Sequence, residues 1–102
     1  MASRLKLQEE LEKVLGSENV YFQPPESLKL KYPCIIYSRS TPDKHNANDG
    51  LYMSTKRYDG TVIDRNPDSD IADKIVEHFP MCSLGTSYPS NNLNHFTFTL
   101  YY

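Results

Sequence analysis

The side chains able to do chemistry are few. His45 stands between Asp43 and Asp49 in the stretch RSTPDKHNANDG, residues 39–50. One imidazole and two carboxylates could hold zinc or a harder cation, but the spacing matches no metal-ligand motif. The bland reading is a solvated loop. Asp64, Asp68, Asp70 and Asp73 form an acidic run that could grip a divalent ion in a hydrolase or nuclease. Three of them fall at or near a predicted helix start, where carboxylates complement the positive end of the helix dipole. Cys34 or Cys82 could serve as a nucleophile only beside a positioned base, and Cys34 lies in an apolar run that favours an inert thiol. His78 falls at the end of the same predicted helix, where an imidazolium suits the dipole. His95 begins the last strand, and reads as a strand-edge residue bonded to backbone. The glycines at 16, 50, 60 and 85 are scattered, so no phosphate-binding loop forms. CxxC, HExxH and GxSxG are absent from the sequence. These observations disfavour an enzyme and call for no cofactor or metal.

The elements that would position these residues follow from periodicity. Leu7, Leu11, Val14 and Leu15 share one face of a helix over 4–15, with Ser3 as N-cap, a Glu9–Lys13 pair on the wet side and Gly16 just past the end. Val20-Tyr21-Phe22 predicts a strand over 20–23, stopped by Pro24 and Pro25. Residues 34–38 predict a second strand, apolar on both faces at its centre and therefore inside the sheet with both sides covered. The third strand is expected over 52–64, with Tyr58, Gly60 and Val62 on one face and Thr61 and Ile63 on the other. Gly60 marks a bulge or a close backbone approach. Ile71, Ile75 and Phe79 form the stripe of a second helix, capped by Asn66 or Asp68 and ended by Pro80. A fourth strand over 81–88 is made less regular by Gly85, and 89–92 is a turn. Phe96, Phe98 and Leu100 alternate with Thr97, Thr99 and Tyr101 in a half-buried last strand. The order α-β-β-β-α-β-β predicts a single α+β domain, with an antiparallel or mixed sheet of about five strands backed by two helices.

A chain of 102 residues suits one domain with little stability to spare. Only 38% of it is hydrophobic, and eight tyrosines supply much of the apolar area. Tyrosine tolerates a surface that is dry on one side and wet on the other, so this composition fits a subunit that completes its burial against neighbours. The net charge of −2 lacks the basic footprint of a nucleic-acid grip. Residues 34–37 form the longest apolar run, far short of a membrane span, and the charged start MASRLKLQEELEK does not read as a signal peptide. Synthesis in the cytoplasm is the expectation, with both cysteines reduced. They could pair only if their Cα atoms lie within about 7 Å.

The stretch ENVYFQPP, residues 18–25, looks like a protease-cleavage tag. Pro24 after Gln23 would hinder such a protease, and no polyhistidine run accompanies it, so it reads as native.

Together with KYPCIIY at 31–37, TVIDRNPDSDI at 61–71, PMCS at 80–83 and NNLNHFTFTLYY at 91–102, VYFQPPES at 20–27 resembles the tail-terminator or tail-completion proteins of long-tailed bacteriophages. The resemblance runs from about Leu7 to the end. These blocks are a fold and family fingerprint, not a catalytic signature, and residues 39–50 match none of them.

The resemblance implies a virion structural protein: a ring, commonly a hexamer, that caps the tail tube, stops its polymerisation and offers its other face to the head connector. Its partners would be copies of itself, the tail tube protein and a connector or neck protein. Such a ring needs a head-to-tail contact that closes on itself. DNA would cross the lumen without specific binding, as a mildly acidic protein allows. On this reading residues 39–50, with Arg39, Asp43, Lys44, His45 and Asp49, and the turn carrying Arg65, Asp68 and Asp70 face ring neighbours, lumen or tube. Tyr21, Tyr101 and Tyr102 contribute subunit contacts. The alternatives are a joining protein at another neck position, or a small non-enzymatic binding module acting as monomer or dimer.

Overall fold

The computed structural model describes residues 4–40 and 56–102. Its elements are α1 (Arg4–Leu15), β1 (Val20–Phe22), β2 (Cys34–Ser40), β3 (Arg57–Asp64), α2 (Ile71–His78), β4 (Cys82–Ser90) and β5 (Leu93–Tyr101). The five strands form one mixed sheet in the order β1-β2-β3-β5-β4, with β1 parallel to β2 and the other neighbours antiparallel. This is the expected α+β domain with two helices, in the expected order.

Both helices pack on one face. Leu7 and Leu11 of α1 and Ala72, Ile75 and Phe79 of α2 join Val20, Ile35, Tyr37, Tyr58, Val62, Phe98 and Leu100 in one buried core. The register explains the selection, because Ile35 pairs with Val62 and Tyr37 with Gly60, and those in turn with Phe96 and Phe98. Residues opposite one another share a face, and the alternation sends every second residue to the core. Gly60 is required here: the Phe98 ring lies where its Cβ would stand. Of the two readings for this glycine, close approach is the correct one.

Helix α1 ends as its sequence dictates. Gly16 takes φ +83 and its N–H donates to the Glu12 carbonyl at 2.8 Å. Helix α2 begins later than expected. Its N-cap is Asp70, which makes no side-chain cap bond, rather than Asn66 or Asp68. Asn66 is engaged in a turn of its own, accepting from the Asp68 N–H at 2.9 Å. Gln23 leaves β1 at φ +45, so that strand ends at Phe22. Strand β4 starts at Cys82 and runs on to Ser90, shortening the predicted turn to Asn91-Asn92. Both asparagines have positive φ, 54 and 63, which matches the twist of a two-residue hairpin. The irregularity expected at Gly85 is a register shift between Leu84 and Ser87. There Thr97 Oγ1 donates to the Thr86 carbonyl at 2.7 Å. Of the predicted third strand, Arg57–Asp64 is seen; Ser3 and residues 52–55 lie outside the described residues.

Candidate interaction surface

One face of the sheet has no helix on it. The expectation that β2 is covered on both sides holds in part: on the helix-free face Cys34 and its partner Ile63 are buried, but Ile36 is only half-buried. Ile36 pairs with Thr61, which pairs with Thr97; beside that row run Ser38, Asp59, Thr99 and Ser83. Thr99 Oγ1 donates to Asp59 Oδ1 at 3.0 Å, and Arg57 meets the same carboxylate at 3.4 Å. Ile36, Ser38, Asp59, Thr61, Thr97 and Thr99 border a shallow depression of about 280 Å³. At one end of this face His95 stacks on Tyr88, with centroids 4.9 Å apart and planes 6° from parallel. Hydroxyls, aromatic rings and one balanced ion pair, held by a rigid sheet, can bind another protein surface.

The two edges of the sheet are treated differently. Edge strand β1 has three residues, and its Val20 carbonyl accepts from Gln8 Nε2 at 2.8 Å, so α1 reaches over that edge. Gln8 also accepts from the Tyr37 hydroxyl at 2.6 Å, satisfying the polar end of a buried ring. Edge strand β4 has nine residues, CSLGTSYPS, and carries no charge. Every residue after Cys82 is exposed, including Leu84 and Tyr88. An open edge presents unpaired N–H and C=O groups to any strand that can reach it.

The residues singled out from sequence do not form one cluster. Asp43, Lys44, His45 and Asp49 lie outside the described residues. Arg39 is exposed near the end of β2, opposite Tyr58. Arg65, Asp68 and Asp70 follow Asp64, at the far end of β3. Six residues of extended chain, about 20 Å, separate those two ends of the sheet. Arg65 lies over the Tyr32 ring at 5.9 Å, and Asp70 pairs with Lys74 at 3.6 Å. Asp64 Oδ1 accepts from the Asn66 N–H at 3.1 Å. Among the described residues no three His, Cys, Asp or Glu side chains gather as metal ligands.

Tyr21 and Tyr101 both lie on the helix-free face, since Tyr21 pairs with Ile36 and Tyr101 with Arg57. Tyr102 points the other way. Its hydroxyl donates to Glu10 Oε2 and its ring meets Phe79 at 5.9 Å. Glu10 also holds His78 Nε2 at 3.3 Å, so His78 links the two helices as well as ending α2. His95 is not an edge residue, because β5 lies between β3 and β4, and its Nδ1 is buried without a hydrogen-bond partner.

The thiols sit apart. Cys34 on β2 and Cys82 on β4 are free and separated by two intervening strands. At about 4.8 Å per strand this is beyond disulfide reach. Burial pushes the Cys34 thiol up to about 11 and raises that of Cys82, so neither is primed as a nucleophile.

Sequence reasoning placed the strand faces but did not single out the Thr-rich face or the β4 edge as surfaces. The signal lay in the Thr97, Thr99, Tyr101 alternation and in the absence of charge over 82–90. No described helix is long and apolar enough to cross a membrane. No family model, curated protein or solved structure matches the chain.

Proposed function

We propose that this chain is a structural subunit of a long-tailed phage virion: a tail terminator that closes into a ring on the tail tube, stops its growth and offers the head-joining surface. The reading rests on the ordered sequence blocks and on one structural observation, a sheet with a whole face free of helices. A two-layer domain of this kind is left with surface to bury against other proteins. Ring closure needs a head-to-tail contact between unlike patches, and the helix layer and the bare face are unlike. The Thr hydroxyls and the Arg57–Asp59 ion pair give this face polar groups with little net charge, as an interface rim has.

The experiment is co-sedimentation with assembled tail tubes. The protein should pellet with tubes at a few copies per tube end, and Thr97→Arg together with Thr61→Arg should abolish this while the fold persists. Binding along the whole tube, or binding unaffected by both substitutions, would count against a capping role for this face.

A further inference from the structure

We propose that the free chain pairs with a second copy of itself through β4, edge to edge and antiparallel about a twofold axis. The pairing is distinct from the ring contact, and goes beyond that reading.

With a second copy as the occupant, elimination gives the strand it offers. Strands β2, β3 and β5 are flanked on both sides, and β1 has only three residues, with Gln8 on its Val20 carbonyl. Among the described residues, β4 is therefore the strand a second copy can offer. Two identical strands meeting through the same edge form an isologous contact, and a twofold axis normal to the sheet makes them antiparallel. Composition permits it. The strand CSLGTSYPS has no charged side chain, so no like charges meet across the seam. Leu84 pairs with Phe98 and lies on the helix side, 49% exposed; Tyr88 pairs with His95 and lies on the bare face, 48% exposed. Pairing would cover part of both.

The same strand limits the contact. The register shift between Leu84 and Ser87 breaks the edge into two short runs, and Pro89 has no N–H to offer. The ladder is short, so the pair dissociates readily and does not extend into fibrils. An isologous contact closes at two copies and cannot build the ring. It holds the exposed edge in a harmless form until assembly.

The test is sedimentation velocity of the intact protein without tail tube, over a concentration series. The mass should move from 11.8 kDa towards twice that value as concentration rises. Ser87→Lys places two ammonium groups at the seam and should hold the mass at the single-chain value, with an unchanged thermal melt to show the fold is intact. As a second readout, hydrogen exchange at the Leu84 and Ser87 amides should slow as concentration rises. A single-chain mass at all concentrations, a dimer untouched by Ser87→Lys, or exchange at those amides independent of concentration would each overturn the proposal.

Discussion

The hydroxyl of Tyr102 donates to the carboxylate of Glu10 at 2.5 Å, joining residues 92 positions apart. The bond fastens the end of the chain to α1, while the Tyr102 N–H donates to the Lys56 carbonyl at 2.9 Å and its ring packs on Phe79. Helix layer and sheet end are thus tied through one residue. Tyr102→Phe should cost about 1 kcal/mol, the usual worth of a partly buried hydrogen bond. Tyr102→Ala should cost more, because the ring contact goes too. Urea denaturation measures both, and equal stability of Tyr102→Phe and the native chain would refute the assignment.

The same pair predicts how stability depends on pH. The Tyr102 hydrogen bond holds the Glu10 carboxyl below its ordinary value, with burial opposing and His78 assisting. A depressed carboxyl contributes stability above its unfolded pKa, and loses it as pH falls through the folded one. On the alkaline side, burial and then the Glu10 bond push Tyr102 up to about 12, and burial pushes Cys34 up to about 11. Folded chains keep those protons after unfolded chains have lost them. Stability should therefore be intact below about pH 9, then fall as pH rises through 11 and 12. Thermal melts across pH should show a shallower alkaline decline in Tyr102→Phe and in Cys34→Ala, and a shallower acid decline in Glu10→Gln.

Gly60 and Phe98 are a fitted pair. Gly60→Ala forces its methyl into the Phe98 ring and should cost about 1–3 kcal/mol by overpacking. Adding Phe98→Leu should recover part of that loss, so the double-mutant cycle should show coupling. Additive losses would mean the ring does not meet that position.

The hairpin turn gives a prediction of opposite signs. Asn91 and Asn92 both hold positive φ. Asn92→Gly should be neutral or stabilising, because glycine reaches this region freely. Asn92→Ala should cost about 1 kcal/mol, since a Cβ without a local hydrogen-bonding group is strained there. A melt of the two variants decides it.

These sites show what the sequence could and could not disclose. The helix over 4–15 and its Gly16 stop were legible because both rest on local periodicity and local φ. So was Gly60, since a glycine inside an alternating strand has few reasons to be there. The start of α2 was misplaced because Asn66, Asp68 and Asp70 are all acceptable caps, and the choice depends on Asn66 being spent in its own turn. The bare face escaped notice for a different reason. Ile36 is apolar, and only the placement of both helices on the opposite face shows that it is half-exposed. The Tyr102–Glu10 bond was not legible, because a contact across 92 positions leaves no local trace.

The central claim is that this chain is a non-catalytic subunit that ends tail growth, and electron microscopy of tails assembled with and without it is the most direct test. Without the protein, tubes should be overlong and uncapped; with it, they should have uniform length and a distinct terminal ring. Tubes of the same length in both preparations would contradict the account.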